Sequence, residues 1–201
     1  YTSIFTVIQR LREVCDHPAL ITGKREPVLG RSEKFDLAVE KISSIVEGGE
    51  QVVLFSNSLV MLDLFEAVLG DSGISYMRLD GSTTDRQGVI DAFNRGEADV
   101  ALCSIRAAGQ GIELTAANHV IHVDRWWNPA LEDQATDRVH RIGQNKTVYV
   151  YRIQVTDTLE ERIDALLESK RQVSAGILTP ATAGARSWTR EELLEILSPI
   201  E

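Results

Sequence analysis

Apolar and polar residues follow two periods along this chain. Short β-branched or apolar runs occupy 51–55, 75–79, 99–103, 119–123 and 147–154, and most segments between them repeat their apolar residues at the helical period. Strands alternating with helices predict an α/β fold, a parallel sheet with helices on both faces. The first three runs are almost continuously apolar, as strands covered on both sides are. The spacings also leave the dozen or so residues that a crossover between parallel strands needs.

The helical segments carry readable ends. Ser32 precedes a helix with Phe35, Ala38, Ile42, Ile45 and Val46 on one side, which Gly48 and Gly49 stop. Thr84 with Gln87, and Thr158 with Glu161, have the spacing of capping boxes, the second opening a helix striped by Leu159, Ile163, Leu166 and Leu167. Asn128 and Pro129 suit an N-cap and first turn, and Leu131, Ala135, Val139 and Ile142 then share a face, so a helix is expected up to Gly143. On the flank of that stripe lie Gln134, Arg138 and Arg141. Residues 174–187, rich in Ala, Gly and Thr and broken by Pro180, read as a surface loop. Beyond it Trp188, Thr189, Glu192 and Leu193 fit a hydrophobic staple and capping box, predicting a short docked tail helix.

Composition narrows the class. With 201 residues, 43% of them hydrophobic, the chain can build one substantial core, or one domain with an appendage. Beginning at Tyr1, it reads as cut from something longer. No apolar run approaches the roughly 20 residues that cross a bilayer. Cys15 and Cys103 stand far apart, which supports neither a disulfide framework nor a zinc site and fits a reducing interior. The short Cys15-Asp16-His17 cluster lacks distant ligands and is read as structural. A net charge of −9 argues against a nonspecific nucleic-acid coat. The charge is uneven, however: Arg138, Arg141, Lys146 and Arg152 make a local basic strip, while Glu160, Glu161, Asp164, Glu168, Glu191, Glu192 and Glu195 load the C-terminal end. Such a strip on an acidic body can still grip phosphate.

A self-sufficient nucleotide hydrolase of the P-loop type needs GxxxxGK[ST], whose amides, lysine and hydroxyl hold the phosphates and Mg²⁺. The Gly23-Lys24 pair is followed by Arg25 and has Pro18 where the leading glycine belongs, so the motif is absent. What remains are pieces that act in trans. Arg138 and Arg141 suit an arginine-finger role, worth on the order of 10³ to 10⁵ in rate; the plain alternative is a solvated face. The segment from Ser104 to Glu113 leaves the carboxyl end of a strand, where ligands of open parallel sheets gather. There Gly109 and Gly111 permit close backbone approach and Glu113 can accept from a ribose hydroxyl, against the alternative of a tight turn. Trp126 and Trp127 are adjacent, so one can be core and one exposed, or both core. Ser56-Asn57-Ser58 and Gly81-Ser82-Thr83-Thr84 follow strands at helix N-termini, which receive phosphate well and equally serve as ordinary caps.

Taken together, these residues resemble the second motor lobe of Swi/Snf-related DNA translocases, helicase-like ATPases of superfamily 2. The similarity runs from CDHP at 15–18 through VLFS at 53–56, LDGS at 79–82, the 106–114 glycine loop, DRWWNP at 124–129 and QATDRVHRIGQ at 134–144 to Tyr151, Arg152 and 158–162. It implies a RecA-like lobe closing on a first lobe of the same polypeptide, with ATP and Mg²⁺ held mainly by that first lobe and double-stranded DNA lying across both. It implies further that Arg138 and Arg141 are the finger pair, that Gln134 positions them or touches the nucleotide, and that Gly109, Gly111 and Glu113 face the nucleotide. Ser56, Asn57, Gly81, Ser82, Thr83, Ser104, Arg106 and Trp127 would face DNA, and no metal ligand is expected in this chain. The implied division is 1–31 as helix and linker from the first lobe, 32–156 as the RecA-like lobe, and 157–201 as brace helix, loop and docked tail helix. Three positions depart from the family pattern: Glu113 stands where relatives usually have Asn, Ala108 for a common glycine and Asn57 for a common glutamine. The compact lobe points to a prokaryotic cytoplasm and its nucleoid, with a nuclear protein as the alternative. A DNA-bound protein is the expected further partner, and no membrane is.

Overall fold

The computed structural model describes residues 2–26, 28–108, 111–125, 129–141, 144–176 and 189–198. Strands β1 Val52–Ser56, β2 Tyr76–Leu79, β3 Val100–Ser104, β4 His119–His122 and β5 Tyr149–Arg152 form one sheet, ordered β2-β3-β1-β4-β5. Every pairing is parallel. The α/β expectation therefore holds, each strand end lying within two residues of the end of its apolar run. Pairing of Ser56 with Ser104, of Leu79 with Cys103 and of His122 with both Phe55 and Arg152 brings the carboxyl ends of the strands to one edge.

Nine helices are described: α1 Thr2–Asp16, α2 Ala19–Thr22, α3 Glu33–Glu47, α4 Leu59–Asp71, α5 Arg86–Asn94, α6 Ile105–Ala108, α7 Pro129–Thr136, α8 Leu159–Gly176 and α9 Arg190–Ile196. Because neighbouring strand residues face opposite ways, Val52 and Leu54 pack under α3 and α4, with Phe35, Ile42, Leu62 and Phe65. Val53 and Phe55 pack on the other face with Ile90 and Phe93 of α5, Ile105 of α6 and Ala135 of α7. A third cluster joins Ile8 of α1, Ile163 and Leu167 of α8 and Leu193 and Ile196 of α9. Among the described residues no helix is long and apolar enough to cross a membrane.

Several expectations are corrected. β2 is not covered on both faces: it pairs with β3 alone, Tyr76 is exposed, and Met77 and Arg78 are half-buried. The cap of α5 is Asp85, one residue beyond Thr84, and its carboxylate accepts from Gly88 N at 2.9 Å. A carboxylate is the stronger acceptor, and residue 88 has no Cβ to block it: one built there would lie 2.2 Å from Asp85 Oδ2. At α8 the box is offset, since Glu161 accepts from Asp157 N while the Thr158 hydroxyl accepts from Glu160 N. The caps of α3 and α4 are Ser32 and Ser58, and Thr189 with Glu192 forms the full reciprocal box at α9. Ser174, where the loop was expected to begin, still belongs to α8, which continues through Gly176; the remainder of the expected loop, with Trp188, lies outside the described residues.

The largest correction concerns the arginine helix, which stops at Thr136 rather than at Gly143. The next residues wind more tightly, Arg138 N donating to Ala135 O at 3.2 Å and Val139 N to Thr136 O at 3.0 Å. The Arg138 carbonyl, which a continuing helix would give to residue 142, instead accepts from Leu114 N at 3.0 Å. Val139 stays fully buried, so the apolar stripe is kept while the backbone leaves the helix. Asn128, Ile142 and Gly143 lie outside the described residues.

Candidate functional site

The segment after β3 and the segment after α7 meet on the sheet face that α5 covers. Ile112, Leu114 and Ala117 from the first and Val139 from the second share one apolar cluster with Ala135 of α7 and Val120 of β4. Gln144 fastens the pair, its amide donating to Thr115 O at 3.0 Å and Ala117 O at 2.7 Å. On this frame Gln134, Asp137, Arg138, His140 and Arg141 line one open hollow of about 510 Å³. The three residues grouped by helical spacing are thus brought together, although two of them stand beyond the helix. Arg138 is half-buried, and its Nε finds no hydrogen-bond acceptor among the described residues. Arg141 is exposed and contacts the Glu113 carboxylate.

Two guanidiniums and a carboxamide offer donors in the planar geometry that phosphate oxygens accept. The one carboxylate among these lining residues, Asp137, is no basis for a divalent-cation site, which takes several oxygen ligands. The donor set fits the anionic part of a nucleotide, and any Mg²⁺ would depend on ligands from elsewhere.

Gly111 is exposed and takes φ 68°, the left-handed region that glycine enters without strain. Glu113 is turned toward Arg141. Asn94 ties down its backbone, the amide donating to Glu113 O at 2.8 Å. Gly109 lies outside the described residues, as does Trp127.

The residues expected near DNA fall into two groups. Ser56 is 1% exposed and its hydroxyl donates to Asp124 Oδ2 at 2.6 Å. Asn57 N donates to both oxygens of the same carboxylate, and its side-chain amide reaches Asp124 and Arg125 O. Burial pushes the Asp124 carboxyl up and the charge of Asp16 adds to this, while the Ser56 hydroxyl, the charge of Arg12 and the Asn57 amide hold it back. Ser104 is also buried, capping α6 through Ala107 N. These two hydroxyls therefore shape loops from within. Gly81, Ser82 and Arg106 are exposed and Thr83 and Asn57 half-buried. Asp80 folds the 80–83 turn by accepting from Ser82 N at 2.8 Å and Ser82 Oγ at 2.6 Å, and its carboxyl is held low chiefly by that hydroxyl.

Buried polar groups with little local signature in the sequence join the elements around these loops. Lys34 is buried, bridging Asp16 of α1 at 2.8 Å and Glu160 of α8, so one ammonium ties both flanking helices to α3. Burial pulls that ammonium down, but the two carboxylates outweigh it and its pKa is raised. Arg125 likewise joins Glu132 of α7 at 3.0 Å to Asp164 of α8, and Arg12 of α1 donates to its carbonyl. A charged residue directly after the 119–123 run was the available signal for Asp124. None existed for Lys34, whose partners lie 18 and 126 positions away. His17 is structural as expected, accepting from Ala19 N at 3.1 Å and meeting Val28 O at 2.9 Å.

An all-parallel α/β lobe that turns an arginine pair into an open hollow, in a chain without a phosphate-cradling loop, has the architecture of the second lobe of a helicase-like ATPase. The chain belongs to the helicase conserved C-terminal domain family, which matches residues 33–143, in its SWI2/SNF2 ATPase branch. The C-terminal domain of the Sulfolobus solfataricus SWI2/SNF2 ATPase superposes with a TM-score of 0.71 at 29% identity, over 96% of this chain and 80% of that one. The Sulfolobus core in complex with dsDNA gives a TM-score of 0.72 at 33% identity, over 96% of this chain and 41% of that one. The putative ATP-dependent helicase/translocase YwqA of Bacillus subtilis is 39% identical over 180 residues, 87% of this chain and 20% of that protein. The mouse SWI/SNF-related regulator of chromatin subfamily A member 1 is 34% identical over 209 residues, 96% of this chain and 20% of that protein. The chain spans about a fifth of the length of the curated relatives it matches.

Proposed function

We propose that this chain is the trans-acting half of a DNA-stimulated ATPase that steps along duplex DNA without needing to separate its strands. The observation that carries the reading is the convergence of Arg138, Arg141 and Gln134 on one hollow, in a sequence without GxxxxGK[ST]. Donors preorganised toward developing phosphoryl charge supply a large part of the barrier lowering in phosphoryl transfer. The triphosphate and Mg²⁺ are held by a first lobe of the same polypeptide, so this chain alone does not hydrolyse ATP. Arg138 and Arg141 are the fingers; Gln134 positions them. Gly109 and Gly111 allow the 109–113 loop to approach the nucleotide.

Duplex DNA lies along the carboxyl edge of the sheet. Asn57, Gly81, Ser82, Thr83 and Arg106 meet its backbone, joined by Trp127, while Ser56 and Ser104 hold the loops that present them. Supporting this are the exposure of Gly81, Ser82 and Arg106 and the dsDNA complex of the Sulfolobus relative. Residues 1–31 connect the lobes, 32–156 form the motor lobe, and 157–201 brace it against the first lobe. A DNA-bound protein is its further target. With Bacillus and Mycoplasma proteins among the relatives, we place it in a prokaryotic cytoplasm.

A full-length protein assayed on two substrates tests the reading. ATP-dependent displacement of a third strand from a triplex, with a tailed duplex left paired, is the expected result. Efficient unwinding of the tailed duplex would make the protein a strand-separating helicase, and duplex binding with no ATP turnover a regulatory module.

A further inference from the structure

We propose that Glu113 is a positioning residue that holds Arg141 on a carboxylate until a nucleotide phosphate takes its place. This rests on the reading of Arg141 as an arginine finger.

The two residues are 28 positions apart and belong to different segments, yet Arg141 Nη1 meets Glu113 Oε1. The backbones that bear them are pinned. Asn94 Nδ2 donates to Glu113 O at 2.8 Å, Leu114 N donates to Arg138 O at 3.0 Å, and Gln144 N donates to Arg141 O at 3.0 Å. Leu114, next to Glu113, and Val139, two residues before Arg141, are fully buried. The frame is fixed and the freedom left is in two long side chains, which are 43% and 60% exposed.

That exposure decides what the pair does. An ion pair open to solvent contributes little to stability, so it does not hold the lobe together. It sets where the guanidinium rests. Arg138 and Arg141 line the same hollow and repel one another, and a carboxylate on Arg141 offsets that repulsion while no phosphate is present. Phosphate offers the guanidinium oxygen acceptors as a carboxylate does, with more charge, so it competes directly for it. Arg141 is thus kept extended near its working place, at the cost of an exchange that must precede catalysis. Without DNA to align the lobes the exchange is unfavourable; with DNA bound, the incoming phosphate drives it.

The test uses the full-length protein, with steady-state ATP hydrolysis measured with and without saturating duplex DNA. Glu113→Gln should raise the DNA-free rate about two- to five-fold, the factor an exposed ion pair can be worth, and lower the DNA stimulation ratio to match. Glu113→Asp, which keeps the charge, should stay closer to the parent. In an Arg141→Ala background Glu113→Gln should lose that rise in the DNA-free rate, because its action passes through the guanidinium. A DNA-free rate that stays level or falls in Glu113→Gln overturns the proposal and leaves the finger reading standing, as does a rise of equal size in the Arg141→Ala background. Near-normal turnover in Arg141→Ala alone removes the finger reading and this proposal with it.

Discussion

The Leu114 amide donates to the Arg138 carbonyl at 3.0 Å, and that one bond takes the arginine segment out of the helix its periodicity predicts. It also ties the glycine loop after β3 to the fingers. Leu114 is itself fully buried. Leu114→Ala should therefore cost about 2–5 kcal/mol, read by urea unfolding of the full-length protein. It should lower ATP turnover more than nucleotide affinity. Equal losses in both would mean that the loop does not position the arginines.

Lys34 joins Asp16 and Glu160 in a site where its side chain has no exposure. Removing one member of a buried charge group strands the others without a partner. Lys34→Met is expected to lose about 3–5 kcal/mol, with increased proteolysis of α1 and α8, the helices it links. A stability change below about 1 kcal/mol would show that the carboxylates are reached by water and need no ammonium.

Glu50 accepts from Asn118 Nδ2 at 2.7 Å and His119 Nε2 at 2.6 Å and meets Lys146 Nζ at 3.3 Å. The bond from Asn118, followed by that from His119, holds its carboxyl at about 2 against an ordinary 4.5. A depressed carboxyl stabilises the fold above its unfolded value and loses that contribution as pH falls through the folded one. The difference in Tm between the parent and Glu50→Gln should be constant above pH 5 and shrink from about 4.5 toward 2. A difference that grows on acidification would reverse the assignment.

Arg106 is exposed on α6, after the carboxyl end of β3. As a phosphate contact it should add about 0.9 to the slope of log affinity against log salt. Arg106→Ala in the full-length protein should weaken duplex binding equally across sequences and reduce that slope by roughly one. An unchanged slope would move the DNA away from α6.

Strands β1 and β3 were legible as buried on two faces because residues of both parities are apolar. The same pattern misled at β2, where Tyr76 and Met77 extend an apolar run onto an edge. The arginine cluster was legible as a grouping, since a turn that keeps Val139 buried also keeps Gln134, Arg138 and Arg141 on one side. Its backbone was not, because the competing donor, Leu114 N, is a tertiary contact that local periodicity cannot register. Lys34 was hidden in the same way: a lysine in an amphipathic helix reads as solvated until Asp16 and Glu160 arrive from either end of the chain.

Arg141 is the residue on which the functional account turns. The most direct measurement is ATP turnover and nucleotide binding by full-length Arg141→Ala with saturating duplex DNA present. Nucleotide binding should stay close to the parent and hydrolysis fall by roughly 10³ or more. Turnover near the parental rate would contradict the finger reading.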